Sequence, residues 1–451
     1  MSQISSRHHR KGDLTFCRRF GYPDEVHDHF HDILRLTLDA LGESNVLSVL
    51  LLGSTARGEL SYRRRNGTLD VFSDYELVAV ARRNGLRRSA ELQRRLSRWE
   101  AGLPFRNPLF HVDMSVKSRW RMRLQAPIIW TYETRANGLT IYGDDARRWL
   151  PRVTLARLDY ANLAQLLMCR LWMMLMHVPQ RFLLGSPSAR ERALFKYVVC
   201  RNVLDLPTIL LPYEGVLLPS YGARKAHLEE HYADTRFSRF MGPDFPAFHE
   251  SCYAGKLQVA VDHIDLHTLY RDALQYFARA ALYLAWFPFV RETPPSARAL
   301  AGDGTLPDTV SQVLSHRRFP SRHALGSKLF KKHLHQVSLA WHDLGLRAPL
   351  RALGWLRRAK VEPMVCALLH LHQALSHFLA GDAGATGHIE SAGRHLGPTL
   401  PAGVPDDQPL EPRERWLRMR REVVRFMVFW YYGHNPDRLR HYLEVLESVS
   451  E

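Results

Sequence analysis

The stretch Leu51–Val80, LLGSTARGELSYRRRNGTLDVFSDYELVAV, decides the fold. An apolar run rich in Val and Leu, Asn45 to Leu52, reads as a buried strand and breaks at Gly53-Ser54. The alternating segment Phe72 to Val80 reads as a second strand and carries Asp74 and Glu76. Residues two apart in a strand share a face, so these acids are expected to project together, opposite Tyr75 and Leu77. Two adjacent carboxylates repel and lose hydration. A pair of Mg2+ ions removes that penalty, because hard oxygen ligands suit Mg2+. Two metals about 4 Å apart can activate an attacking hydroxyl and stabilise a leaving pyrophosphate.

Working outward, the segment from Pro23 to Gly42 has helical periodicity, and Leu86 to Gly102 reads as a charged amphipathic helix. Leu109 to Val116, LFHVDMSV, alternates as a third strand, and Leu139 to Gly143 makes a short fourth. The third strand supplies Asp113 as a further metal ligand, able also to help accept a proton. His111 shares its strand face. A strand that ends in Gly53-Ser54 and opens a helix presents unpaired backbone N–H groups and a hydroxyl to phosphate oxygens. Arg57, in the first turn, is a candidate to add positive charge. Taken singly, a Gly-Ser is a turn and a D-x-E a solvated strand face; only their order on three elements points to a site.

That order resembles the DNA polymerase β-type nucleotidyltransferase superfamily. GSTARGE and SDYEL are similar to its Gly-Ser and paired-acid motifs as they occur in bacterial antibiotic and minimal nucleotidyltransferases. The resemblance covers residues 45–150. It implies an α+β fold, with a small mixed sheet flanked by helices and then α-helical domains. It also implies Mg2+-dependent transfer of a nucleoside monophosphate, AMP from ATP foremost, to a hydroxyl or phosphate. Asp74, Glu76 and Asp113 would bind two Mg2+ ions and Gly53 and Ser54 the triphosphate, for which Arg57, and Lys196 of the helical part, are further candidates. The chain departs from the family in its long Ser54-to-Asp74 spacing, filled by SYRRRNGTLD as an expected hairpin, and in having Glu as the second acid.

From Leu155 onward strands fade. Helices are expected over 158–178, 188–211, 224–232 and 257–286, then near 327–344, 349–359, 363–380 and 411–448. SARERALFKYVVCRNVLDLPTILL followed by PYEGVLLPSYGAR is similar to the helical halves of antibiotic adenylyltransferases. Arg192 and Lys196 are four apart on one helix face, where a solvated basic face is the plainer alternative. Glu133 is a weaker candidate base. His27 and His31 of VHDHFHD share a helix face but lack a third ligand, so a surface cluster is expected; HLHQALSH at His370 reads as an amphipathic helix. The expected organisation is a flexible tail over 1–22, a catalytic domain over 23–152, a helical domain over 153–291, a linker over 292–312 and a helical region over 313–451.

The chain has 451 residues, a net charge of +17 and 46% hydrophobic residues, as expected for a multidomain globular protein. Only nine basic residues are Lys. The charge fits either a polyanionic partner or Arg-rich codon usage. Cys17, Cys169, Cys200, Cys252 and Cys366 follow neither a disulfide nor a metal-site spacing, which fits a reducing, cytoplasmic setting. MSQISSRHHRKGD has no apolar core, and the apolar window 166–178 is too short to span a bilayer. The expected partners are a nucleoside triphosphate and an acceptor outside a growing polymer, with no membrane and room for a homo-oligomer. The alternatives are transfer to RNA or protein, or a nucleotide-binding module without turnover.

Overall fold

The computed structural model describes residues 13–259 (less 66, 84, 106, 108, 180 and 186), 265–286, 305–317, 319, 361–397 and 410–432. The fold is mixed α+β and divides into two units, residues 1–158 with 257–259, and residues 159–256 with 260–451.

In the first unit, α1 (Thr15–Arg19) and α2 (Asp24–Leu41) precede β1 (Val46–Leu51). A single turn, α3 (Gly53–Ala56), leads to the hairpin β2 (Tyr62–Arg65) and β3 (Thr68–Val71). Then come β4 (Tyr75–Ala81), α4 (Leu86–Ala101), β5 (Val112–Ser118), α5 (Arg119–Arg123), α6 (Ile129–Asn137) and β6 (Leu139–Gly143). The main sheet runs β5-β4-β1-β6, with β4 and β5 parallel and the other pairs antiparallel. The central strands are apolar on both faces. Val49, Leu51, Tyr75, Leu77 and Met114 pack with Phe30 and Ile33 of α2 and Leu92 and Leu96 of α4. Leu50, Leu52, Val78 and Val80 pack with Met122 and Trp149 on the other face.

Several elements differ from expectation, β5 among them, which starts at Val112 and not at Leu109. Residues 13–22 are not a free tail, because Phe16 stacks edge-on against Phe30, with ring centres 5.2 Å apart, and Cys17 and Tyr22 are buried. The strand expected from Phe72 begins at Tyr75, since the Phe72 N–H donates to the Ser61 carbonyl at 2.9 Å instead of joining the sheet. Glu133, the weaker candidate base, lies within α6, for which no helix was expected. The expected hairpin is present, with Arg65 opposite Thr68 across a turn in which Gly67 takes φ +76°.

The second unit contains α7 (Ala161–Met176), α8 (Arg181–Leu184), α9 (Ala189–Val203), α10 (Leu206–Leu210) and α11 (Tyr221–His231). It continues through α12 (Ser238–Met241), α13 (Phe245–Leu257), α14 (Leu266–Trp286), α15 (Leu306–His316), α16 (Val361–Ala380), α17 (Ala385–Leu396) and α18 (Pro412–Tyr432). The helices expected over 327–344 and 349–359 lie outside the described residues, as does 292–304 of the expected linker. The rest of that linker is largely helix: α15 starts at a Thr305 cap and packs on α14 and α16. The two expected helical regions are one unit. Buried Arg420 of α18 donates to the carbonyls of Leu175, Met176 and Val178 at 3.0, 2.6 and 2.6 Å, closing the C-terminus of α7. All five cysteines are free thiols, and among the described residues no helix is long and apolar enough to cross a membrane.

Arg420→Met should strand three buried carbonyls and cost about 3–5 kcal/mol in urea unfolding, with Arg420→Lys recovering part. A separate test concerns pH. Burial, with Arg224 and Lys225 alongside, pushes the His249 imidazole from 6.5 down to about 3. Below about pH 6.5 the unfolded chain therefore takes up a proton that the fold refuses. Stability should fall by about 1.4 kcal/mol per pH unit towards pH 3. His249→Asn should remove that part of the slope, measured as unfolding free energy against pH.

Candidate active site

Parallel pairing of β4 and β5 sets Glu76 opposite Asp113, and Tyr75 opposite Val112. Registered residues of adjacent strands face the same way and their backbones lie about 4.8 Å apart. Glu76 and Asp113 therefore leave the sheet on one face, while Tyr75 and Val112 enter the core on the other. Asp74 sits one residue before β4, with its Oδ1 3.0 Å from Nδ1 of His111. His111 and Asp113, two apart, repeat the spacing of Asp74 and Glu76, so four polar groups form a rectangle at the start of both strands. Asp113 is exposed; Asp74 and Glu76 are half-buried.

The Gly53 turn meets this rectangle from the end of β1. Gly53 has φ +65°, and a Cβ there would lie 2.9 Å from Glu76 Cδ and 3.1 Å from both carboxylate oxygens. Glycine is required twice over, by backbone conformation and by the closeness of Glu76. The Leu52 N–H donates to the Glu76 carbonyl at 2.8 Å, locking the turn to β4. Ser54 is half-buried in the single turn α3.

Arg57 lies behind the turn rather than open to solvent. Its side chain is 7% exposed, with Nε 2.8 Å from Glu59 and a terminal nitrogen 3.5 Å from Glu133. The Glu59 partner was visible in the sequence as the second acid-base neighbour in ARGE, two residues on. Lys196 belongs to the second unit, where it is 5% exposed and its Cε would lie 3.5 Å from a Cβ at Gly255. Arg192, one turn earlier, is exposed, so the expected shared basic face is half interior. His27 and His31 are exposed on α2, whereas His29 turns inward to within 3.1 Å of the Tyr75 hydroxyl.

Among the described residues, the trio whose ligand atoms all lie within 4.8 Å of one another is Asp308, His370 and His388, in the second unit. The three acids of the sheet are not drawn together to that degree. The hairpin borders the site region through Asn107, in the loop entering β5, which donates to Asp70 and to the Val71 carbonyl at 3.3 and 2.8 Å.

No protein-family model, curated protein or solved structure matches the chain.

Gly53→Ala should destabilise the protein by about 1–2 kcal/mol from the left-handed backbone alone, with a further part from displacing Glu76. In a Glu76→Ala background that further part should disappear. Four-protein urea unfolding should give a coupling of at least about 0.5 kcal/mol, and strict additivity would show that the two residues do not press on each other.

Proposed function

We propose that the first unit transfers a nucleoside monophosphate from a nucleoside triphosphate, ATP foremost, to a hydroxyl or phosphate of a non-polymer acceptor. The observation that supports this most is the face-sharing pair Glu76 and Asp113 beside a Gly53-Ser54 turn that has no room for a side chain. The three acids offer carboxylate oxygen, which suits Mg2+, with His111 held against Asp74. Asp74, Glu76 and Asp113 would hold the metal, which when bound lowers the charge on the phosphates and on the departing pyrophosphate.

The protein's own groups have separable tasks. His111 orients the Asp74 carboxylate through its Nδ1. Gly53 lets the chain approach Glu76, and the Ser54 hydroxyl would donate to a phosphate oxygen. Asp113, the most exposed acid, is placed to receive the acceptor's proton. Arg57 acts from behind by fixing Glu59 and Glu133 around the turn. The second reading is a nucleotide-binding module without turnover; Arg57, expected on the triphosphate, is already committed to two carboxylates and gives neither reading that contact.

With α-labelled ATP, Mg2+ and an acceptor panel, the wild-type chain should release pyrophosphate and add one nucleoside monophosphate to an acceptor. Glu76→Gln and Asp113→Asn should each lower transfer by at least about 100-fold, the scale for losing one charge-stabilising group. His111→Gln should cost about ten-fold, as an orienting partner does. Tight ATP binding with no transfer to any small molecule, RNA or protein would favour the module; transfer by Glu76→Gln at the wild-type rate would end the proposal.

A further inference from the structure

Three helices of the second unit bring metal-ligating side chains together. His370 on α16 and His388 on α17 are 1% and 8% exposed, and their Nδ1 atoms are 3.0 Å apart. Asp308, in the first turn of α15, places a carboxylate oxygen within 4.8 Å of both. We propose that Asp308, His370 and His388 form a binding site for one divalent transition-metal ion, with Zn2+ as the fitting occupant, that staples α15, α16 and α17.

The chemistry narrows the occupant. Two imidazoles and one carboxylate suit Zn2+ and its neighbours in the first transition row, and are a poor set for Mg2+. Two nitrogens bound tetrahedrally to Zn2+ at about 2.1 Å stand about 3.4 Å apart, so the observed 3.0 Å asks for a shift of a few tenths. The Ser311 hydroxyl lies 2.9 Å from Nε2 of His370. If that nitrogen carries the proton, Nδ1 presents its lone pair towards His388. The Thr305 hydroxyl donates to one oxygen of Asp308, orienting the carboxylate. Such outer partners fix the direction of metal ligands.

The surroundings fit as well. Burial, with His388 alongside, pushes His370 down to about 4, and burial also lowers His388. His395 stacks on His370 and His377 on His388, with ring centres 5.8 and 5.1 Å apart, holding the pair in a ladder along the α16–α17 hairpin. His377 is itself fixed by Asp382 at 2.5 Å, against Gly384, where a Cβ would come within 2.7 Å of the ring. Asp308 is exposed and gives an ion a way in. The rival is a plain hydrogen bond between the two Nδ1 atoms, with Asp308 serving only to cap α15; it predicts no metal.

The test uses the full chain, stripped of metal and given Zn2+ or Co2+ alone against a chromophoric chelator, with no nucleotide present. It is thus independent of nucleotidyl transfer. The expected result is one tightly held equivalent, visible ligand-field absorption of low-coordinate Co2+, and a Zn2+-dependent rise in Tm. Asp308→Asn, at an exposed position, should keep the fold and weaken binding by at least about ten-fold. His388→Gln should abolish the Co2+ spectrum, while Glu76→Gln should leave it unchanged. If His388→Gln fails to fold by circular dichroism, Asp308→Asn decides alone. A wild-type chain that takes up no metal overturns the proposal. So does uptake unchanged by Asp308→Asn, which would place the ion on others of the 24 histidines.

Discussion

Glu76 occupies the space that a side chain at residue 53 would need. Much of the first unit follows from that approach. The chain must leave β1 through a left-handed glycine, and the start of β4 must lie against the end of β1, as the Leu51–Leu77 pairing does. β5 must then run parallel to β4 for Asp113 to stand beside Glu76. A slip of β4 by one residue would send Tyr75 and Leu77 out of the core and Glu76 into it. The register that buries the core is therefore the register that assembles the acids, and neither can drift without the other.

The second unit is tied by buried polar groups more than by local helix signals. Arg420 takes the last carbonyls of α7, and Arg170 of α7 meets Asp205 at 2.5 Å with both side chains largely buried. His372 of α16 contacts the Leu171 carbonyl at 2.9 Å and the Tyr270 hydroxyl of α14. Such groups are costly to bury unpartnered, so they specify one arrangement of helices among many apolar ones. They also bear on the basic composition. Arg57, Arg170, Arg224 and Arg420 face inward, so these four arginines serve the fold and say nothing of a polyanion.

Periodicity made the local elements legible. α2 occupies Asp24–Leu41 between the Pro and Gly that mark its ends, α4 fills its amphipathic segment, and β1 and β6 fall where short apolar runs place them. The hairpin was legible because an Asn-Gly pair sits between two strand-like runs. Elements decided by distant partners were not legible. The five-residue α1 is too short to show a period and is held by Phe30. The start of β4 is set by Ser61, and Leu257, expected to open a helix, instead closes α13, the next described helix beginning at Leu266. In the candidate site, the sequence placed Asp74, Glu76, His111 and Asp113 on shared faces, whereas the commitment of Arg57 to Glu133, 76 residues away, is visible only in three dimensions. His370 and His388, 18 residues apart, meet across a helix hairpin that spacing alone could not close.

The two proposed metal sites differ in a way that keeps their ions apart. Transition metals bind nearly every N and O site more tightly than Mg2+ does, so affinity alone would let Zn2+ invade the carboxylates. The acids of the sheet offer hard oxygen and open water, a set in which a hydrated Mg2+ keeps its own waters at little cost. The buried imidazoles offer nitrogen and exclude water, which a reluctantly dehydrating ion cannot accept. A chain carrying both proposed sets would offer Zn2+ a better place than the sheet, and an ion held there would brace the helices.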